Sequence, residues 1–226
     1  ESSIKTWTGT AFKIGALVVL IVTLISVITN GMDTMNSASG LGQVSAIICL
    51  LILIYATFPI AHVIRSAGDS LSSSRSSTVD FIFRDFVTEN IKALGHITAL
   101  VALFGAICST VGWILNSNGM SMDVDLYSGA AYAYALPLDA TATLLEMIRL
   151  DYVGGIISDF FSWDLTGSDA TGYTIDGLVA VGWEYAQVIL ILAKLYLALA
   201  IYNWVYGLVS TLAKWISSPS LPFKTS

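Results

Sequence analysis

The sequence predicts an all-α, polytopic membrane protein with four transmembrane helices and amphipathic interfacial helices in the segments between them. Of its 226 residues, 55% are hydrophobic and only 12% are charged, about half the charged share of an average soluble domain. Crossing a bilayer takes about 20 predominantly apolar residues, and four runs meet that requirement. They cover residues 12–30, 43–64, 93–115 and 178–212.

Composition and motifs exclude several classes of function. A net charge of −6, with ten basic residues spread along the chain, argues against a nucleic-acid partner, because phosphate neutralisation needs clustered Lys and Arg. The common zinc, nucleotide and nucleophile-elbow motifs do not occur, so we expect no enzymatic activity and no metal site. Cys49 and Cys108 lie inside apolar runs and are predicted to be small buried hydrophobes rather than a disulfide or metal pair.

The first run fits two interpretations by sequence alone. Lys5 and Lys13 precede it, and the small residues 37–39 follow it, a pattern that also fits a signal peptide and its cleavage site. Because these residues are present in the chain, we interpret residues 1–64 as an N-terminal segment followed by two retained spans.

The positions of Lys and Arg predict the orientation of the spans. Basic residues occur in the N-terminal segment, in the connection 65–92 and in the tail of segment 178–226. The connection 31–42 has none, and the connection 116–177 has Arg149 alone against nine acids. We therefore expect both termini and residues 65–92 in the cytoplasm, and we expect the protein in a bacterial inner membrane.

Both longer connections contain predicted helices. In the cytoplasmic connection, Ser77 and Asp80 fit a capping box. We expect an amphipathic helix there that lies on the membrane face and runs into the third span. Its apolar stripe comprises Val79, Ile82, Phe83 and Phe86.

In the outer connection, Asp139 is a natural N-cap and Gly154-Gly155 a predicted break or kink. The apolar stripe of this helix comprises Leu145, Ile148, Tyr152, Ile156 and Phe160. The carboxylates that follow lack the spacing of a calcium loop, which favours ordinary turns. They are Asp164, Asp169 and Asp176.

The last run carries polar residues where lipid would be expected. Trp183 and Trp204 are 21 residues apart, about 31 Å along a helix, so they bracket one hydrocarbon thickness with Lys194 near its middle. Glu184, Gln187 and Lys194 fall within an arc of about 80°. A lysine at this depth is costly to insert. It is therefore predicted to pair with a neighbouring subunit or to line a proton or ion path.

Two further patterns lie on the second and third spans. A stripe of small residues predicts a helix-packing face on the third span. It comprises Gly95, Ala99, Ala102, Ala106 and Ser109. His62 and His96 are predicted at equal depth, where two imidazoles are able to hold the iron of haem b axially. Hydrogen-bonding histidines at the membrane interface are the simpler interpretation of that pair.

These features predict a non-catalytic membrane subunit that scaffolds or lines a larger membrane-embedded assembly. Its expected partners are other membrane subunits or copies of itself, together with lipid. One alternative is an oligomeric channel or transporter component, including one in a secretion or transport complex, with the polar stripe along its path. A minor alternative is a bis-histidine haem subunit for electron transfer. Apart from haem b in that alternative, no cofactor is expected.

Overall fold

A computed structural model describes residues 2–117, 139–143, 145–147, 149, 151–162 and 172–217. The helices are α1 (Ser2–Ser37), α2 (Leu41–Ser73), α3 (Thr78–Ile114), α4 (Asp151–Ser162) and α5 (Ile175–Ser217). All of these except α4 are long and apolar enough to cross a membrane. The described residues contain no strand. The predicted all-α polytopic membrane class with four spans is confirmed.

The spanning helices are longer than the apolar runs that predicted them. At 1.5 Å per residue, the 36 residues of α1 and the 43 residues of α5 reach about 54 and 64 Å, against about 30 Å of hydrocarbon. The helices extend into the connections predicted at 31–42 and 65–92, so that only residues 38–40 and 74–77 remain outside helices. Hydropathy marks where a helix meets lipid, whereas backbone hydrogen bonds continue into the polar flanks.

The predicted cytoplasmic helix is the first part of α3 rather than a separate element. Ser77 accepts a hydrogen bond from the amide of Asp80 at 3.2 Å, which confirms Ser77 as the N-cap of this helix. The segment Phe81–Phe86 is a π-helix that passes directly into the α-helix Val87–Ile114. The predicted apolar stripe is divided: Val79 and Phe83 line a groove against the end of α5, while Phe86 meets an aromatic ring of α1.

The four spans form an open row in chain order. α1 packs on α2, α2 on α3, and α3 on α5. One apolar core joins the first three helices, with Val27, Leu53 and Phe104 among its members. A second core joins α3 and α5 around Leu195 and Ala198. α2 and α3 therefore each have a neighbour on two sides, while α1 and α5 form the edges of the row.

The outer connection differs from its prediction. Gly154 and Gly155 lie inside α4, so the helix does not break there, and a kink at this pair stays a prediction. The break falls at Arg149, whose φ of 66° ends the preceding helical turns. Gly154 instead permits close packing, because a Cβ at that position would lie 2.9 Å from the carbonyl oxygen of Ala142. Ile148, Asp164 and Asp169 lie outside the described residues, and Asp176 is in the first turn of α5.

The two ends of the row differ in charge. The start of α1, the connection 74–77 and the end of α5 lie at one end, which we call the basic end. Among the described residues, every Lys and Arg except Arg149 and Lys194 belongs to the connection 74–77 or to the helix segments of this end. At the opposite end, the indole of Trp113 donates to the carbonyl of Thr174 at 2.8 Å.

Candidate functional site

The polar stripe of α5 lies beside the contact between α3 and α5. Leu195 and Ala198, which form the centre of that contact, are fully buried. Glu184 and Gln187 are half-buried, and Lys194 is only 2% exposed. At 100° per residue the stripe overlaps the side of α5 that carries Leu195 and Ala198, so the three predicted residues lie on the side of α5 that faces α3.

Lys194 is shielded by its own chain. A lysine facing lipid at mid-span would have to extend about 15 Å to reach the interface, half the hydrocarbon thickness, further than its stem allows. The structure removes this difficulty because the side chain is buried and has an interaction within the chain. A neighbouring subunit, which the sequence suggested as the partner, is therefore not required to cover it.

A hydrogen bond joins α3 to α5 next to Glu184. The hydroxyl oxygens of Thr110 and Tyr185 are 3.2 Å apart. Because the Thr110 hydroxyl donates its hydrogen to the carbonyl of Ala106 at 2.8 Å, the Tyr185 hydroxyl is the donor between the two side chains. The half-buried portion of the stripe is thus held by a polar contact as well as by packing.

The small-residue stripe of α3 is used inside the chain at Gly95. A Cβ on Gly95 would lie 2.4 Å from a methyl carbon of Leu195, so glycine allows α5 to approach. Of the remaining stripe residues, Ala99 and Ala106 are buried, and Ala102 and Ser109 are half-buried. The stripe does contain a close helix contact, and the helix in contact at Gly95 belongs to the same chain.

The two histidines lie in different surroundings. Ile60 belongs to the core shared with α3, and at 100° per residue His62 lies about 200° further round α2. His62 lines a groove with residues of α1. His96 bonds through Nδ1 to the carbonyl of Lys92 at 2.7 Å and meets the ring of Tyr196 edge-on. Haem ligation by this pair stays a prediction, and this geometry counts against it.

Cys49 and Cys108 face each other across the contact between α2 and α3. Both are buried, and neither forms a disulfide. The Sγ of Cys49 lies 3.6 Å from the carbonyl oxygen of Cys108, and the reciprocal distance is 3.9 Å. They pack as small side chains with weak S–H donors, as the sequence predicted.

Sequence reasoning missed a polar network at the basic end. The ammonium of Lys5 donates to the carbonyl oxygens of Ser74 and Ser76, at 3.3 and 2.5 Å. The Ser74 hydroxyl donates to a carboxylate oxygen of Asp85 at 2.6 Å, and Arg84 donates to the other at 2.8 Å. This network joins the start of α1, the end of α2 and the start of α3.

α5 enters the same region through two tyrosines. The hydroxyl of Tyr206 donates to Asp80 at 2.5 Å, and the hydroxyl of Tyr202 donates to the carbonyl of Phe83. All four spanning helices are therefore connected at the basic end. The partners are up to 126 residues apart in the chain, so no local pattern in the sequence indicates that they meet.

The residues that the structure describes contain no group of three or more His, Cys, Asp or Glu placed to hold a metal ion. Comparison with protein-family models, with curated proteins and with solved structures finds no match to this chain. The interpretation of the site therefore rests on its own geometry.

Proposed function

We propose that this chain is a non-catalytic membrane subunit that assembles side by side with other membrane subunits or with copies of itself. The observation that carries the proposal is the open row of four helices, in which α1 and α5 each pack mainly on one neighbour. A row of helices has two edges and two broad faces, and these surfaces are available for lateral packing against other subunits of a larger assembly. As part of the proposal, the basic end lies in the cytoplasm of a bacterial cell.

The outer face of α5 supports lateral assembly. Ala193, Ala200 and Gly207 are exposed and follow one another at intervals of seven residues, so they lie on one side of the helix. A Cβ on Gly207 would meet no atom within 4 Å. Small residues on a lipid-facing helix let another backbone come close, which is how helices gain contact energy in lipid.

The polar stripe favours a second candidate function, an oligomeric channel or transporter component. Glu184 and Gln187 are half-buried rather than enclosed, and a second subunit packed beside them would enclose a polar strip between the two chains. The burial of Lys194 within one chain supports the first candidate, since the ammonium is occupied by the fold rather than offered to a water-filled path.

Replacing Ala193 with phenylalanine tests the assembly. The added ring would hold a neighbouring helix away from α5 and remove its close contacts. We expect the wild type to have a protein mass well above the 24.1 kDa of one chain in mild detergent, and Ala193→Phe to shift toward smaller species. The measurement is light scattering coupled to size exclusion.

Ala11→Phe is the matched control, because Ala11 is also an exposed alanine but belongs to α1. Its assembly should match the wild type if the contact face is on α5. A wild-type protein that stays a single chain in detergent and in lipid nanodiscs, and retains no membrane partner on purification, would contradict the proposed function.

Replacing Lys194 with methionine separates the two candidate functions. Methionine keeps an unbranched side chain of similar size and removes the charge. Because it leaves the interaction partner of the buried Lys194 without the ammonium, the variant is expected to be less stable than the wild type. We expect the same ion flux in proteoliposomes made with Lys194→Met as in those made with the wild type. A wild type that conducts, with conductance or selectivity altered by the substitution, would favour the channel instead.

A further inference from the structure

A groove of about 480 Å³ lies between α1 and α2 near the basic end. Lys13, His62 and Arg65 line one part of it. The rest of its lining is apolar and comprises Ala16, Leu17, Leu20, Phe58 and Ala61. Such a division between charged and apolar lining suits a ligand that has both kinds of surface.

The polar and apolar parts of the groove lie at different depths. Leu20 is seven residues further along α1 than Lys13, which is about 10 Å deeper into the membrane. Phe58 is likewise seven residues deeper than Arg65 on α2. Leu17 and Phe58 are exposed in the chain. The cationic part therefore lies toward the membrane surface, and the apolar part lies in the hydrocarbon.

The charges at the shallow end are only partly neutralised. Lys13 forms a salt bridge with Asp69, with 2.7 Å between Nζ and Oδ1, but an ammonium has three donors and this bond uses one. Arg65 takes part in none of the salt bridges found in the described ranges. With Asp69 counted, Lys13 and Arg65 leave one net positive charge, and the His62 ring adds an N–H donor.

We propose that this groove binds one anionic phospholipid. Its phosphate contacts Lys13, His62 and Arg65, and one acyl chain lies along Leu20 and Phe58. Guanidinium and ammonium groups are strong donors to phosphate oxygens, and basic pockets between membrane helices are suited to anionic lipid headgroups. This site is independent of the proposed assembly, because the groove is formed by α1 and α2 within one chain.

The two halves of the groove together select the ligand. Free phosphate would use the cationic end and leave the apolar half without a contact. A zwitterionic lipid would fill both halves, but its own ammonium compensates the phosphate charge. A lipid with a net negative charge matches both the positive charge of the groove and its apolar depth.

Native mass spectrometry of the full-length protein in neutral detergent tests the site. Dioleoylphosphatidylglycerol and dioleoylphosphatidylcholine are added in separate titrations, so that only the headgroup differs. We expect the first to bind at least about fivefold more tightly, the effect of about one basic residue near a membrane surface. Arg65→Gln should remove most of that preference. Circular dichroism and elution volume confirm that each variant is folded.

Arg75→Gln is the matched control, because Arg75 is an exposed arginine of the same end that does not line the groove. It should retain the preference for phosphatidylglycerol. Equal binding of the two lipids would contradict the proposed site. An equal loss of the phosphatidylglycerol preference in Arg65→Gln and Arg75→Gln would also contradict it, and would indicate binding to diffuse surface charge. Displacement of phosphatidylglycerol by millimolar inorganic phosphate would overturn the lipid assignment and leave a simple anion site.

Discussion

Replacing Gly68 with valine is expected to separate α1 from α2 where Gly9 and Gly68 bring the two backbones close together. A Cβ on Gly68 would lie 2.9 Å from the carbonyl oxygen of Gly9, and a Cβ on Gly9 would lie 2.7 Å from that of Gly68. Both contacts are with backbone atoms, which do not move aside as the end of a flexible side chain does. We expect the free energy of unfolding to fall by about 1–3 kcal/mol, as for other overpacked interiors.

Gly15→Val is the control for this substitution. Gly15 is also a glycine of α1, but a Cβ there would meet no atom within 4 Å. Unfolding is followed by circular dichroism as sodium dodecyl sulfate is added to the protein in mild detergent micelles. If the two valine variants lose equal stability, the effect belongs to valine in a helix and not to the contact between Gly9 and Gly68.

Replacing Gly95 with alanine is expected to disturb the contact between α3 and α5. The added methyl group would lie 2.4 Å from a methyl carbon of Leu195 and 2.9 Å from its branching carbon. Leu195 is fully buried, so it has little room to turn away. We expect a loss of about 1–3 kcal/mol in the free energy of unfolding, measured by the same titration.

Gly105→Ala provides the comparison on the same helix, since nothing lies within 4 Å of the Cβ position there. Alanine is a better helix former than glycine by about 1 kcal/mol in water, so this variant should match or exceed the wild type in stability. Combining Gly95→Ala with Leu195→Ala should cost less than the sum of the single changes, because the clash is removed. Strict additivity would show that the two residues do not interact.

The fold class and the number of spans could be predicted from the sequence because lipid imposes a simple requirement. About 20 consecutive apolar residues must cover the hydrocarbon thickness, and every backbone polar group must bond within the helix. The same argument does not predict helix ends. Residues 65–73 were expected in a loop, yet Ser72 and Ser73 donate to carbonyl oxygens within α2.

The residues of the candidate site could be predicted from the sequence, but the groups that surround them could not. The composition of the last run singles out Glu184, Gln187 and Lys194, and the cost of a charge in lipid predicts that Lys194 is covered. Whether the cover comes from the same chain or from another depends on which faces of α3 and α5 meet. The structure answers that at Gly95 and Leu195, which are 100 residues apart in the chain.

The sequence by itself determined the membrane class, the four spans, the N-cap at Ser77 and the residues that are costly in lipid. These properties depend on the composition and order of neighbouring residues. Only the tertiary structure decided the row order of the helices, the approach of Gly9 to Gly68 and the groove between Lys13 and Arg65. Those features arise from contacts between distant segments. In lipid such contacts depend on the fit of side chains rather than on hydrophobicity, and local patterns do not encode that fit.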